Sequence, residues 1–583
     1  MKRPRHWFHL PVLILLCGLL FFSGLGNLGL TDRDEGSNAE AAREMVESGD
    51  WMSPTLNYEP RFAKPAFTYW IMSVIYLIFG VNELSARLHA ALFGLLLIVL
   101  HYAFLAKIRG PGFAFIGSLM LGLNIEMVAI SRVALTDSVL IFFTTLSLYA
   151  FWLGLYHEER SRSWIWVFYV GMAFATLTKG PVGLLIPVLA VATYLTMSRQ
   201  WRDFGRRGHP LLGSIITIAL ALPWYAGMLW LHGERYTTSA QADTVGRFFS
   251  MIGGHGGTIL FYVPILLFGF FPWSGFMAVR LWQTVKDWRA SLRSQGINAI
   301  GGGACSDRSS ALDLFAAAWL LSLFVFFSLS ATRLPHYIGP LFPAASILAA
   351  SFWYRATSDI RSPGVAAAFG IFTVAGYLLG LTLLSAPYLY ATFVSVVEKE
   401  FPLAQDYSPG LGPILAGVLL VGGTALAHAF GRSDTKRPGA FWIAAASLTL
   451  ALLMIIHITL PQFHQNFISP PQTLATIAGY NLGRDDRFIT YGPHKPSWTF
   501  YARHKTIVIR PGEEEKLTSN LEHSGRTIVL LPTRLRSKLP IETEHMELLL
   551  ERKGYTLLAD RAMVKLPPKP AGPPPIPDHA FGR

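Results

Sequence analysis

The 583-residue chain has 52% hydrophobic and only 15% charged residues, with positive mean hydropathy, which excludes an ordinary soluble domain. Its formal net charge of +13 does not point to nucleic acid, because Lys and Arg are spread over many loops rather than gathered in one patch. Two cysteines, Cys17 in the first apolar segment and Cys305 beside Gly301-Gly302-Gly303, exclude a disulfide framework.

Apolar runs of about 18 residues or more can each cross a hydrocarbon core of about 30 Å. In chain order they predict thirteen spans at 10–29, 86–106, 111–130, 137–155, 164–180, 182–198, 211–230, 259–279, 311–330, 337–353, 364–386, 410–430 and 439–460. The first lacks a small-x-small site and reads as an uncleaved signal anchor. Lys2, Arg3 and Arg5 precede it, and Lys107, Arg109, Arg199–Arg207, Arg280–Arg308, Arg355, Arg432, Lys436 and Arg437 fall on the same predicted face. That enrichment predicts a cytoplasmic N-terminus. The chain thus reads as a multi-pass membrane protein whose C-terminus lies on the outer side.

The first outer loop, 31–85, is unusual. Thr31–Lys64 holds eight acidic residues against four basic ones in a basic chain, which suggests part of a site rather than packing. Within it Asn38–Ser48 reads as a helix with Ala39, Ala42 and Val46 inward and Glu40, Arg43, Glu44 and Glu47 on a solvated face. Ala66–Gly80 is apolar but short for a span, and is predicted as a re-entrant or in-plane helix. Residues 1–460 then form the membrane domain. Residues 461–566 turn polar, with strand-like runs at Phe488–Thr490, Thr506–Ile509, Thr527–Leu531 and Ala562–Val564 and helices at 470–482 and 541–552, a small α/β extracytoplasmic domain. The Pro-rich tail 567–583 is predicted to be disordered.

Polar residues stand where apolar ones would be expected, and on one face: Asp34 and Glu35 after the first span, Asp137 opening the fourth, Lys179 ending the fifth, Arg247 and His255 in loop 231–258, and Arg333, His336 and Tyr337 between spans nine and ten. Both charge signs on one membrane face describe a cavity for an anionic ligand with carboxylates beside it. Each residue also has a plainer reading. Asp137 can cap its helix, Lys179 and Arg333 can snorkel, and His255 between glycines can be an ordinary loop residue.

The order Asp34-Glu35, Glu40, Arg43-Glu44-Met45, Gly49-Asp50-Trp51, Lys64-Pro65, Tyr69-Trp70, Asp137, Thr178-Lys179-Gly180, Arg247-Phe248, His255-Gly256-Gly257, Phe261–Pro264, Phe271-Pro272-Trp273 and Leu334–Tyr337 resembles the lipid A aminoarabinose transferases. These belong with the protein O-mannosyltransferase-like membrane glycosyltransferases of GT-C fold. The resemblance covers the membrane domain to about residue 355 and, more loosely, the C-terminal domain. It implies an all-α polytopic GT-C-like domain of about thirteen helices followed by a small α/β domain. It further implies an inverting glycosyltransferase using an undecaprenyl-phosphate-type sugar donor, with a lipid A-like glycolipid or another envelope acceptor on the periplasmic face. Asp34, with Asp137 and Glu35, would then be catalytic. Lys64, Lys179, Arg247, Arg333 and Tyr337 would hold the donor phosphate, and a divalent metal would sit on His255 and a Glu before Lys-Pro. Here that Glu is Ala63, with Glu59 nearby as a substitute donor. A lipid-linked sugar transporter or flippase, or an inactive membrane scaffold, are the competing readings.

Overall fold

The computed structural model describes residues 6–156, 161–242, 246, 249, 257–294, 308–358, 362–522, 525–540 and 546–560. The first half runs α1 (His9–Phe22), α2 (Asp34–Ser48), the hairpin β1 (Thr55–Leu56) and β2 (Glu59–Pro60), α3 (Phe67–Phe79), α4 (Glu83–Arg109), α5 (Pro111–Gly122), α6 (Ile125–Ile130), α7 (Asp137–Tyr156), α8 (Ser161–Lys179), α9 (Pro181–Ser198), α10 (Trp201–Arg207) and α11 (Pro210–Gln241). The helices Tyr262–Gly269, Ser274–Ser294, Arg308–Leu329, Phe342–Ser358, Val365–Leu384, Leu411–Arg432 and Arg437–Met454 complete the bundle. Every one of the thirteen predicted spans falls on one or two of these helices. Among the described residues eight helices are long and apolar enough to cross a membrane, or nine with one bent pair.

Not every predicted span is a single rod. Segment 259–279 is two helices, Tyr262–Gly269 and Ser274–Arg293, bent by 118°, where Pro272 cannot continue the backbone ladder. Helix α11 breaks at Gly233, whose φ of 54° and ψ of −129° lie outside helical space, so the predicted loop after residue 230 starts as helix. The bundle is layered by burial. In α7 83% of the hydrophobic window is inside the molecule, against 28% in α11, so α7 carries Asp137 into the centre while α11 lies at the periphery. Helices approach closely through small residues: a Cβ on Gly183 of α9 would lie 2.1 Å from the Ala175 carbonyl oxygen of α8.

From Arg437 the helical path continues unbroken to Asn481, through π turns at Ile455–Thr459 and His464–Ile468. It delivers the chain to a five-stranded sheet of order β4-β3-β5-β7-β6, in which β3 (Arg487–Tyr491) pairs in parallel with β4 (Thr506–Ile509) and β5 (Thr527–Pro532). The strands β6 (Glu547–Arg552) and β7 (Tyr555–Ala559) are antiparallel to their neighbours. Leu474, Ala478, Trp498, Phe488 and Leu530 fill one face of the sheet, and Ile489, Tyr491, Leu517, Val529 and Leu558 the other. The expected helix at 541–552 is corrected, because residues 547–552 are strand β6. Lys553 and Gly554, both at positive φ (46° and 76°), make the tight reversal that pairs β6 with β7. The predicted strand Ala562–Val564, the tail 567–583 and Cys305 lie outside the described residues.

The sheet domain sits on the loop that follows α1. Asn57 and Thr506 exchange two hydrogen bonds of 2.8 and 2.7 Å, Lys505 pairs with Glu59 at 2.9 Å, and the Tyr501 hydroxyl donates to Glu83 at 2.8 Å. This contact overturns the solvated face expected of α2. Glu35 through Val46 are all buried, including Glu40, Arg43 and Glu44, because the helix Pro496–Ala502 and the β1–β2 hairpin cover the side away from the bundle. The charges are retained by pairing: Arg43 donates to Glu40 at 2.7 Å and to Glu47 at 2.6 Å. Replacing Gly183 by Ala pushes α9 off the α8 backbone, and a loss of about 1–3 kcal/mol in stability is expected, read as a lowered Tm of the purified protein in detergent.

Candidate active site

Four loops at the end of the bundle beside the sheet domain bring the charged residues together. Asp34 opens α2, and Lys64 precedes Pro65, which leads into α3. Lys179 is the last residue of α8, and Gly180 at φ 72° turns the chain at once into Pro181 of α9. His336 and Tyr337 lie on a 3-10 turn, Pro335–Leu341, after the helix Arg308–Leu329.

The result is two facing carboxylate–lysine pairs. The Lys179 ammonium donates to Asp137 Oδ1 at 2.6 Å, and Lys64 lies 3.4 Å from Asp34 Oδ1 and 3.5 Å from Asn38 Oδ1. The two pairs are electrostatically coupled: Asp34 feels Lys179 and His336, and Asp137 feels Lys64 and His336. His336 Nε2 stands 4.0 Å from Asp137 Oδ2. The Lys179 ammonium also lies over the Tyr337 ring, 4.6 Å from its centroid. Asp137 is buried and ion-paired, and Lys179 is 16% exposed, so neither a helix cap alone nor snorkelling describes them. Asp34, 39% exposed, is the open member of the group. The Lys64 ammonium holds its carboxyl well below the usual carboxylate range against the opposing effect of burial, with His336, Lys179 and Arg61 adding to it.

Lys64 and Lys179 are also the charged lining of a cavity of about 430 Å³ whose remaining walls are mainly apolar, among them Phe62, Pro65, Leu140, Val182, Leu185, Trp224, Tyr225, Phe326 and Phe327. Ala63 and Tyr337 line it too. An elongated apolar molecule ending in an anion fits these walls and these two cations.

Other expected residues fall elsewhere. Glu35 is 2% exposed and fully engaged: Arg87 donates to it at 2.7 and 2.9 Å, the Thr31 amide and hydroxyl each at 2.7 Å and the Ala134 amide at 2.9 Å. It fixes the loop and does not join Asp34 and Asp137. Arg333 donates to the Gly257 and Ser328 carbonyls, tying two loops rather than facing the pairs. Arg247 and His255 lie outside the described residues. The metal set implied by the resemblance does not fit the residues present: Ala63 offers no donor, and Glu59 turns outward to Lys505. Among the described residues no three of His, Cys, Asp and Glu group as metal ligands. A chelator is therefore expected to leave turnover unchanged, and a strict zinc requirement would overturn that expectation.

From sequence, Asn38, Arg61, Tyr69 and Arg87 were not assigned a part in the site. Asn38 donates to the Ala134 carbonyl and is approached by Lys64 and by the Tyr69 hydroxyl at 3.4 Å, while Arg61 donates to Tyr69 at 3.1 Å. The available signal was position: Asn38 stands one helical turn after Asp34, and so on the same face.

Residues 35–237 match the family model of dolichyl-phosphate-mannose-protein mannosyltransferases. An uncharacterized protein of Aquifex aeolicus is 29% identical over 344 residues, 59% of this chain and 62% of that one, so the chain spans less than two thirds of that relative. An undecaprenyl phosphate-alpha-4-amino-4-deoxy-L-arabinose arabinosyl transferase of Edwardsiella ictaluri is 26% identical over 468 residues, 79% of this chain and 78% of the relative. The fold is similar to the crystal structure of ArnT from Cupriavidus metallidurans bound to undecaprenyl phosphate, with a TM-score of 0.77, 22% identity and coverage of 96% of this chain and 99% of that one.

The depressed titration of Asp34 has a pH signature. Its ionised form stabilises the folded state above the ordinary carboxylate pKa of about 3.9, and that contribution is lost as pH falls through the lowered folded value. Lys64→Met removes the partner. The Tm difference between wild type and Lys64→Met is expected to be widest near neutral pH and to shrink only as pH falls below about 4, as thermal scans across a pH series will show.

Proposed function

Since the chain belongs to the polyprenyl-phosphate-sugar glycosyltransferases of GT-C fold, we propose that it moves a sugar from an undecaprenyl-phosphate-type carrier to a lipid A-like or other envelope acceptor on the periplasmic face of a bacterial inner membrane. The observation that carries this reading is that Lys64 and Lys179, paired with Asp34 and Asp137, line a mainly apolar cavity. The undecaprenyl phosphate held by the Cupriavidus structure supports a lipid-linked donor.

Such a donor needs an apolar wall for its tail, cations for its phosphate and carboxylates for the sugar. The acceptor oxygen attacks the anomeric carbon from the side opposite the phosphate. The bond from that carbon to the phosphate oxygen breaks, and its electron pair leaves with the polyprenyl phosphate, inverting the centre. Negative charge grows on the departing oxygen, where Lys64 and Lys179 are already in place, so that little reorganisation is needed at the moment of reaction. Tyr337, beneath Lys179, borders the same phosphate. With a hydroxyl acceptor Asp34, a carboxylate at neutral pH, takes the proton, a role typically contributing about 10²–10⁴ in rate. With a phosphate acceptor, already nucleophilic, Asp34 orients the sugar instead. Asp137 holds Lys179 in place.

Mass spectrometry of envelope lipids and glycans from a deletion strain tests the proposal. A sugar-sized mass difference is expected to be restored by wild type and not by Asp34→Asn or Lys64→Ala, both of them folded and inserted. Rescue by either variant would overturn the site and favour transport or a scaffold.

A further inference from the structure

We propose that the C-terminal domain takes part in catalysis through Ser497, a positioning residue that sets Asp34 by holding Asp32; this rests on the reading of Asp34 as catalytic. Asp34 lies between two clamped carboxylates. On its C-terminal side Glu35 is locked into the membrane domain by Arg87 and the Ala134 amide. On its N-terminal side Asp32 is locked into the sheet domain, where Ser497 donates to it twice, from its amide to Oδ1 at 2.9 Å and from its hydroxyl to Oδ2 at 2.6 Å.

Ser497 is itself fully buried, and Gln472 braces it, donating to the Ser497 hydroxyl at 3.3 Å and to the Leu30 carbonyl at 2.6 Å. The open carboxylate of the site therefore hangs on a short backbone stretch fixed at one end by each domain. A second feature is built around the same contact. Gly36 is inside a helix, where Ala is normally preferred. A Cβ there would stand 2.7 Å from Asp32 Oδ1, 2.8 Å from the Ser497 amide nitrogen and 3.1 Å from Ser497 Cα. Glycine is what lets the helix and the sheet domain approach closely enough for the contact to form.

Small displacements of a reacting group are costly: a misplacement of about 1 Å can lower a rate about 10²-fold. Ser497→Ala removes one of the two bonds to Asp32, and Gly36→Ala wedges the two partners apart. The test measures the initial rate of sugar transfer in membrane vesicles from the complemented deletion strain, with undecaprenyl phosphate affinity and Tm of the purified proteins alongside. Ser497→Ala and Gly36→Ala are expected to lose about tenfold or more in rate while binding undecaprenyl phosphate as wild type does, and Ser497→Thr is expected to restore the rate. Lys505→Ala, which removes only the exposed pair with Glu59, is the control for simple domain docking and is expected to keep the wild-type rate.

An unchanged rate in Ser497→Ala would overturn the proposal. So would an equal loss in Lys505→Ala, a parallel loss of undecaprenyl phosphate affinity, or the failure of both Ser497→Ala and Gly36→Ala to give folded protein. Asp34→Asn in the same vesicles separates the two readings. If it is inactive while Ser497→Ala is fully active, the positioning role alone fails; if it is active, the catalytic reading of Asp34 fails with it.

Discussion

Carboxylates at the edge of a hydrocarbon layer must be neutralised where they stand, and the molecule is organised around that requirement. An isolated charge in a low-dielectric setting is costly, and pairing is the common remedy. Asp137 is paired with Lys179, Asp34 with Lys64 and Glu35 with Arg87. Each pair joins two different elements: α7 with α8, α2 with the loop before α3, and α2 with α4. Satisfying the charges and closing the bundle are therefore the same event. Of these three carboxylates only Asp34 keeps substantial exposure, in keeping with the catalytic role proposed for it.

The same logic explains how most of a helix as polar as α2 lies inside the molecule. Its acidic and basic residues answer one another and the hairpin behind it: Arg43 bridges Glu40 and Glu47, and Glu44 accepts from the Thr55 hydroxyl at 2.5 Å and the Tyr58 amide at 3.0 Å. Burial and the neighbouring Glu40 push the Glu44 carboxyl up to about 7. Helix α2 thus serves as the joint between membrane and sheet domains, with Asp34 at its first turn.

Much of the bundle was legible in the sequence because crossing a bilayer demands length and apolarity, and both are local properties. Thirteen apolar runs became thirteen helical regions, and the strands at Phe488–Thr490, Thr506–Ile509 and Thr527–Leu531 appear nearly as expected. Asp34, Lys64, Asp137 and Lys179 were legible for a related reason: each is a charge placed where an apolar residue would be easier to accommodate. The failures had non-local causes. Within the helix expected at 541–552, residues 547–552 form a strand because β7 was available to pair with them, and the outer face of α2 was covered by a domain more than 400 residues further along the chain.

By itself, the sequence determined that this is a polytopic membrane protein, which segments are helical, and which ionisable residues gather toward one face, since hydropathy and spacing are written residue by residue. Tertiary structure alone decided the partners. It set Lys179 against Asp137 rather than in the headgroups, turned Glu35 inward to Arg87 and Glu59 outward to Lys505, and brought Ser497 onto Asp32. Which charge meets which depends on how the helices pack around α7 and where the sheet domain docks. That information lies in three-dimensional contacts between distant segments, not in the period or composition of any one of them.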